Sequence, residues 1–204
     1  MTQTERFDRE AATWDDNPRR GRMAQEVAKA IAARVPLSAG TKALDFGCGT
    51  GLLTLQLWPL VGSITGVDTS PGMLDVLARK VAALGLTGVE TRLLPPDGGH
   101  ALEGAFDLIV SCMALHHVQD LDPLFRRFHE HLAPGGRIAL ADLDMEDGSF
   151  HGDVADVHHL GFDRARLKGM LAAAGFTELE DTTAYEMRRN GRDYPVFLIT
   201  GRKA

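Results

Sequence analysis

Short apolar segments alternate with longer amphipathic ones along most of the chain. In the longer segments, apolar residues recur at three- and four-residue spacing, the period of a helix with one buried face. The pattern predicts alternating elements, with strands at residues 42–46, 63–68, 88–94, 106–111 and 137–143 and helices at residues 51–58, 70–85, 122–136 and 163–176. This alternation indicates an α/β fold, in which a parallel sheet has helices on both faces.

The two ends of the chain depart from this alternation. The N-terminal segment is predicted to be helical to about residue 33, with Pro36 and Gly40 ending the helix. Near the C-terminus, two strand-like segments at residues 177–187 and 194–202 follow each other with only a turn between them. Strands joined by a short turn pair antiparallel, so at least one strand here should run against the rest of the sheet.

Length and composition indicate one soluble domain, predicted to span residues 1–204. The 22 basic and 28 acidic side chains give a net charge of −6, which argues against general affinity for nucleic acid or anionic lipid. The two cysteines, Cys48 and Cys112, provide no disulfide framework. The polar, acidic start is unlike a signal peptide, and no apolar stretch approaches the roughly 20 residues that span a bilayer. We therefore expect a cytoplasmic protein.

The stretch ALDFGCGTGLL carries the most specific signal. It places Gly47, Gly49 and Gly51 directly after a predicted strand and directly before a predicted helix. Glycines let the main chain turn tightly and let a ligand approach without meeting a Cβ atom. The start of the following helix offers N–H donors and the positive end of a dipole. The stretch therefore predicts a backbone cradle for a polar, partly anionic ligand.

Asp68 strengthens this prediction. It ends the second predicted strand, roughly 20 residues after the glycine turn, where an acidic side chain commonly binds ribose hydroxyls. Nicotinamide-dependent oxidoreductases share the arrangement and are one alternative, although the spacing here is Gly-x-Gly-x-Gly, with Leu52 after it, rather than Gly-x-Gly-x-x-Gly. A second alternative is a non-catalytic regulatory protein that binds such a ribose-containing cofactor without transforming it.

Four motifs in order resemble a known family. ALDFGCGTG, ITGVDTSPGMLDVLARK, FDLIVSCMALHHV and HLAPGGRIALAD, within residues 42–176, are similar to class I S-adenosylmethionine-dependent methyltransferases of the ubiquinone/menaquinone-biosynthesis type. The resemblance implies a Rossmann-like, doubly wound, seven-stranded and mostly parallel sheet, with the last strand antiparallel, within three α/β/α layers. It also implies an enzyme that transfers a methyl group from S-adenosylmethionine to an acceptor and releases S-adenosylhomocysteine.

The same resemblance implies roles for individual residues. The main chain of the glycine turn, with Asp45 behind it, would hold the methionine part of the cofactor, and Asp68 would bind both ribose hydroxyls. Thr69 and Met73 would border the adenine, and the chain at Ser111 and Cys112 would offer a carbonyl oxygen to the cofactor's amino group. The turn's cofactor-binding residues are Gly47, Cys48, Gly49 and Gly51.

One position departs from the family pattern. The family usually carries an acidic residue just after the third strand, near the adenine amine, whereas this chain reads RLLPPDGG there. Either Asp97 takes this role from a shifted loop or a backbone group near Leu94 does.

His116 is the candidate catalytic residue. His116 and His117 follow the fourth predicted strand, near where the methyl group should point, and imidazole titrates near neutral pH. His116 would remove a proton from an acceptor that needs deprotonation. The alternative is that both rings only pack and form hydrogen bonds in the wall of the crevice.

A second group of histidines raises the question of a metal site. His158 and His159 follow His151 in an acidic stretch that also contains Asp153 and Asp156. Adjacent histidines do not readily bind one ion, and the spacing matches no known zinc pattern. We therefore predict no metal, and a surface or substrate-pocket role for this stretch.

The N-terminal residues and the acceptor complete the prediction. Residues 1–40 are expected to form a helical lid over a cofactor-binding core of residues 41–204. Phe7 and Trp14 would either shield the sulfonium by a cation–π contact or only attach the first helix to the sheet. The sequence SCMALHH differs from the Asn-Pro-Pro-Tyr turn that holds a flipped base, so we expect a small-molecule acceptor, no nucleic-acid or membrane partner, and a monomer or homodimer.

Overall fold

The computed structural model describes residues 2–95, 102–151, 157–189 and 191–204. Its strands are β1 (Lys42–Phe46), β2 (Ser63–Asp68), β3 (Val89–Leu93), β4 (Phe106–Cys112), β5 (Leu132–Leu143), β6 (Phe176–Arg189) and β7 (Arg192–Lys203). They form one seven-stranded sheet in the order β3-β2-β1-β4-β5-β7-β6. The first five strands pair parallel, and β7 runs antiparallel to both β5 and β6. The predicted sheet and its antiparallel last strand are confirmed.

The helices of the described chain are α1 (Gln3–Glu10), α2 (Pro18–Ala32), α3 (Leu52–Leu57), α4 (Pro71–Ala83), α5 (Leu121–His131) and α6 (Arg164–Ala173). Helix α4 begins as the sequence predicts, because the Ser70 side chain accepts a hydrogen bond from Met73 N and Pro71 occupies the first helical position. Among the described residues, no helix combines the length and the apolar character needed to cross a membrane.

Strand side chains alternate between two core layers. Leu44, Ile109 and Ile138 pack with the apolar faces of α5 and α6 on one side of the sheet. Leu108 and Val110, their neighbours in sequence, pack with α2 and α3 on the other side. Because successive strand residues point to opposite faces, both faces of the central strands are buried and the molecule has three layers.

Two element boundaries differ from the prediction. The N-terminal helix is interrupted by a 3₁₀ helix at Ala11–Asp16, and α2 starts afresh at Pro18. The residue before a proline disfavours helical backbone, and Asn17 is extended there, with its side chain accepting from Arg19 N. Helix α5, predicted to reach residue 136, ends at His131. Leu132 already pairs with Phe106 of β4, so strand pairing replaces the last predicted helical turn.

The order of the strands determines where a ligand can bind. β1 lies between β2 and β4, and the chain leaves β1 towards one side of the sheet and later returns to its other side. In such sheets the crevice opens at the carboxyl ends of the strands beside this switch point. The residues that follow β1, β2 and β4 therefore surround a common space.

Candidate active site

The glycine turn after β1 is held tightly by the protein itself. Gly47 has φ +69° and Gly51 has φ +82°, in the left-handed region that favours glycine. A Cβ atom at Gly47 would lie 2.3 Å from Ala114 Cβ, and one at Gly51 would lie 2.3 Å from Leu77 Cδ1. A Cβ atom at Gly49 would meet only Met73 Sδ, at 4.0 Å. Gly49 therefore has the open approach expected for a ligand, while the other two glycines are required by internal packing.

Hydrogen bonding within the turn changes what it can offer a ligand. Gly47 N and Cys48 N both donate to Val67 O, and Gly51 N donates to Cys48 O. Gly49 N donates to Asp68 Oδ2 over 2.8 Å. These N–H groups are used within the protein, and the carbonyl oxygens of Cys48, Thr50 and Gly51 also accept hydrogen bonds there. Each carbonyl oxygen keeps a second lone pair, so the turn presents an open backbone surface with acceptor capacity rather than a nest of free donors. Carbonyl oxygens suit an ammonium group better than an anion.

Asp68 stands at the end of β2 beside this turn. Its Oδ2 atom accepts from Gly49 N, and its Oδ1 atom accepts from Ser70 N at 2.9 Å. Burial raises the pKa of the Asp68 carboxyl, and the backbone donors of Ser70 and Gly49 oppose that rise. A carboxylate has about four acceptor sites, so Asp68 retains capacity to bind two hydroxyl groups while the backbone fixes its orientation.

Asp45 lies deeper, within β1, and is 1% exposed. Thr54 of α3 donates to its Oδ2 atom over 2.6 Å. Burial raises the pKa of Asp45 to about 7, with the charge of Asp68 adding to the rise and the Thr54 hydrogen bond opposing it. A buried carboxyl of this kind is sensitive to any positive charge brought into the cavity.

The predicted adenine residues also reach the cavity. Thr69, Met73, Leu94 and Cys48 line it together with Asp68. Leu94 N donates to Asp68 O over 2.8 Å, so the end of β3 is fixed to the end of β2. Asp97, the alternative partner of the adenine amine, lies outside the described residues.

Two other predicted cofactor contacts lie outside the cavity lining. Gly51 packs against α4, as described above, and Ser111 is fully buried, with its hydroxyl donating to Phe46 O over 2.9 Å. Cys112 lines the cavity, and burial raises the pKa of its thiol, as it does for Cys48. Both thiols therefore stay protonated at neutral pH.

His116 is part of a buried pair that sequence reasoning did not identify. Its Nδ1 atom lies 2.7 Å from Asp142 Oδ1, and the two side chains are 3% and 0% exposed. Asp142 also accepts from Leu143 N, at 2.8 Å. Burial by itself raises the pKa of Asp142, but His116 and the N–H donors outweigh it and hold the pKa below its ordinary value. A carboxylate that accepts from Nδ1–H leaves Nε2 of the neutral ring as the basic nitrogen.

The surroundings of His116 are mostly aromatic. The ring of His117 lies 4.1 Å from that of His116, and the ring of His151 lies 4.7 Å away, centroid to centroid. All three side chains line the cavity. His151 Nε2 is buried without a hydrogen-bond partner among the described atoms. Burial, followed by the effect of His116, lowers the pKa of His151 to about 4, so this ring is neutral at pH 7.

The later histidines support the loop around His116. His158 N and His159 N both donate to His116 O, and the His159 ring nitrogen Nε2 lies 2.9 Å from Val118 O. Asp153 and Asp156 lie outside the described residues. Within the part of the chain that the structure describes, no group of three or more acidic, histidine or cysteine side chains is arranged to hold a metal ion.

The N-terminal segment forms part of the cavity wall, since Phe7 and Trp14 are among its lining residues. Asp8 Oδ1 accepts from Ser70 Oγ at 2.6 Å and from Gly72 N at 2.8 Å, which attaches α1 to the start of α4. The Phe7 ring lies 5.3 Å from the ring of His117 and 5.6 Å from that of Trp14. The cavity has a volume of about 920 Å³, at the upper end of the range typical for small-molecule sites.

The comparisons with known proteins indicate the kind of domain to which this fold belongs. Residues 44–138 match the family profile described as a methyltransferase domain. The chain is 29% identical to an uncharacterized methyltransferase of Schizosaccharomyces pombe, over 70% of this chain and 55% of that protein. It is 31% identical to the ubiquinone biosynthesis O-methyltransferase of Xanthomonas oryzae pv. oryzae, over 59% of this chain and 50% of that protein. The chain thus spans about half the length of these curated relatives.

The fold is similar to that of a solved methyltransferase structure. Phosphoethanolamine N-methyltransferase 2 of Haemonchus contortus, in complex with S-adenosyl-L-methionine, superposes with a TM-score of 0.72 at 19% identity, over 86% of this chain and 52% of that one. The architecture is Rossmann-like. The methyltransferase-domain match and these relatives confirm the resemblance, predicted from the motifs, to class I S-adenosylmethionine-dependent methyltransferases of the ubiquinone/menaquinone-biosynthesis type.

Proposed function

We propose that the protein transfers the methyl group of S-adenosylmethionine to a small-molecule acceptor. The observation that carries the proposal is the Asp68 carboxylate, fixed by Gly49 N and Ser70 N at the end of β2, inside a cavity that the glycine turn also lines. A carboxylate oriented in this way suits the two hydroxyls of a ribose. When bound, the donor supplies an activated methyl group for an in-line displacement at the sulfonium carbon.

The residues present fit this donor. The carbonyl oxygens of the glycine turn, with Asp45 buried behind them, suit the ammonium group of its methionine part. Thr69, Met73 and Leu94 would border the adenine, and Cys112 would lie near the amino acid end. Gly51 and Ser111 would act through the shape of the turn and of β4, since both lie outside the cavity lining.

The chain's own contribution to the rate is mainly positioning. Holding two reactants in line and excluding water supplies about 7–11 kcal/mol of the barrier in favourable cases. The N-terminal segment, residues 2–40, would serve this purpose as a lid, because α1 is attached to α4 through Asp8 and Phe7 packs on His117.

His116 would act as general base where the acceptor must lose a proton. Asp142 holds the Nδ1–H side of the ring, so Nε2 would accept the proton and Asp142 would stabilise the resulting imidazolium. A positioned base of this kind contributes about 10²–10⁴-fold. Asp142 would be a positioning residue, since it acts through His116.

Charge and cysteine chemistry bear on the location and the partners of the protein. We propose a cytoplasmic protein that acts as a monomer or homodimer on a small molecule, without nucleic-acid or membrane partners. The net charge of −6 supports this, as do two free cysteines with protonated thiols. The family match favours methyl transfer over the nicotinamide-dependent and regulatory alternatives.

Calorimetric titration with S-adenosylhomocysteine and, separately, with NAD tests the donor. We expect S-adenosylhomocysteine to bind and NAD to release no heat. Incubation with S-adenosylmethionine and a mixture of small hydroxyl, amine and thiol compounds, followed by mass spectrometry, then tests transfer. Binding of NAD without binding of S-adenosylhomocysteine contradicts the proposal. Donor binding with no methylated product from any acceptor would favour a regulatory role.

A further inference from the structure

Charged side chains are segregated within the cavity. Two of its acidic lining residues, Asp45 and Asp68, belong to the donor end described above. The rest of the lining comes from the N-terminal segment, the β4–α5 region, residues 150–158 and β6. Among its described residues are one acid, Asp120, and five arginines: Arg6, Arg19, Arg20, Arg127 and Arg189. A protein with a net charge of −6 thus has a positive lobe in its own site, where low-dielectric walls strengthen the field.

Arg20 is the most constrained of these arginines. It is part-buried on α2, where its Nη1 atom donates to Trp14 O over 2.8 Å. Its guanidinium carbon lies 3.6 Å from the centroid of the Trp14 ring. Among the described residues, Arg20 forms no ion pair with a carboxylate. Burial lowers its pKa, the negative charges of Glu10 and Asp15 oppose that fall, and the positive charges of Arg189 and Arg6 add to it.

Arg189 reaches the same lobe from the end of β6. Arg19 Nη1 donates to Arg188 O over 3.3 Å, which places α2 directly beside the end of β6. Arg189 Nη1 donates to Phe150 O, and its guanidinium carbon lies 5.3 Å from the Phe150 ring. Within the described ranges, Arg189 has no carboxylate partner either. Two guanidinium groups therefore share one lobe, with the charges of Glu10 and Asp15 near Arg20 but no carboxylate paired with either arginine among the described residues. A bound anion would offset the repulsion between the two guanidinium groups.

The lobe lies on the His116 side of the cavity. Phe150, which contacts Arg189, is followed by His151, whose ring lies 4.7 Å from the ring of His116. His151 Nε2 is buried and has no hydrogen-bond partner within the described part of the chain. A polar atom in that state is costly unless a ligand satisfies it. The positive lobe and the unpaired ring nitrogen therefore point to one ligand beside the proposed base.

We infer that the methyl acceptor carries an anionic group, a carboxylate or a phosphate, and that Arg20 and Arg189 bind this group. The inference rests on the proposed function, because it concerns the second substrate of the same site. Guanidinium groups bind both kinds of anion through paired N–H donors. The unpaired His151 Nε2 would form a further hydrogen bond to the acceptor, without adding charge.

Inorganic phosphate is the probe for this lobe. Phosphate is titrated by calorimetry into protein saturated with S-adenosylhomocysteine, and then into the variants Arg20→Gln and Arg189→Gln. We expect phosphate to bind the wild type and each variant to weaken its affinity at least fivefold. Arg22→Gln on the exposed side of α2 and Arg188→Gln, whose side chain is 70% exposed and pairs with Asp193, are matched controls expected within twofold of wild type.

The outcomes separate this inference from the proposed function. Failure of S-adenosylhomocysteine to bind the wild type overturns both. Binding of S-adenosylhomocysteine without binding of phosphate, or with equal phosphate affinity in all variants, overturns only the anionic acceptor. If both arginine variants weaken S-adenosylhomocysteine but leave 5′-methylthioadenosine, which lacks the carboxylate, unchanged, the arginines bind the cofactor's own carboxylate and the inference is wrong. Because Arg189 is exposed, Arg189→Gln keeps the test valid if Arg20→Gln fails to fold.

Discussion

Replacement of Asp45 by asparagine should change how the stability of the ligand-free protein depends on pH. The folded-state pKa of Asp45 is about 7, against an ordinary value of 3.8, because the carboxyl is buried. The folded protein therefore holds a proton on Asp45 that the unfolded chain releases between these two pH values. The stabilisation linked to this proton is complete below about pH 4 and is lost as the pH rises to 7.

The size of the effect follows from the width of that interval. Each pH unit within it changes the free energy of unfolding by about 1.4 kcal/mol. Between pH 5 and pH 7 the wild type should therefore lose about 2 kcal/mol through Asp45 alone, because the group is only half titrated at its folded-state pKa. Asp45→Asn has no proton to release, and its side-chain oxygen still accepts from Thr54. The variant should become more stable relative to the wild type as the pH rises.

Urea denaturation of both proteins at pH 5, 6, 7 and 8 measures the difference. The free energy of unfolding of Asp45→Asn minus that of the wild type should grow by about 3 kcal/mol over this range. Asp75→Asn, at an exposed position of α4, controls for the removal of one carboxylate. A difference between Asp45→Asn and wild type that stays constant from pH 5 to pH 8 would show that Asp45 is ionised in the folded protein and that its burial has been misjudged.

Three further predictions concern the donor turn and the proposed base. Asp68→Ala should weaken S-adenosylhomocysteine binding at least tenfold, about 1.4 kcal/mol, by calorimetry; an unchanged dissociation constant would place the ribose elsewhere. Gly51→Ala, with φ +82° and a Cβ atom 2.3 Å from Leu77 Cδ1, should lower the free energy of unfolding by at least about 2 kcal/mol, and equal stability in urea would refute this. Asp142→Asn should lower kcat and alter its pH profile for an acceptor that requires deprotonation while leaving S-adenosylhomocysteine affinity within twofold, and an unchanged kcat and profile would exclude a base role for His116.

The donor end of the site was predictable because its signals are local. The glycine turn, the strand before it and Asp68 lie within residues 42–68, and each residue type has a backbone or charge reason to be there. Ser70 and Pro71 likewise marked the start of α4 by their own chemistry. Hydrophobic patterning predicted the sheet most clearly at β1, β2 and β4, which are short and mostly buried on both faces.

The acceptor end was not predictable in the same way. His116 and Asp142 are 26 residues apart and meet because Cys112 pairs with Ala141 at the ends of β4 and β5. The sequence places Asp142 near the end of the fifth predicted strand, but only the register between β4 and β5 shows that it lies beside His116. Arg20 and Arg189 are still farther apart in the chain, and no periodic pattern brings them together. The predicted end of α5 was wrong because local apolar spacing does not show that Leu132 pairs with β4.

The attachment of α1 to α4 has a kinetic consequence. Asp8 holds both Ser70 Oγ and Gly72 N, and Asp15 holds Thr50 Oγ1 at 2.6 Å and pairs with Lys80. The first turn of α4 and the glycine turn are thus both attached to the N-terminal segment, through Asp8 and Asp15. If this segment acts as the proposed lid, we expect exchange of spent donor for fresh donor to require these anchors to open. The residence time of the donor would then depend on residues that never touch the nucleoside. Cutting the two aspartate tethers should accelerate arrival and departure together.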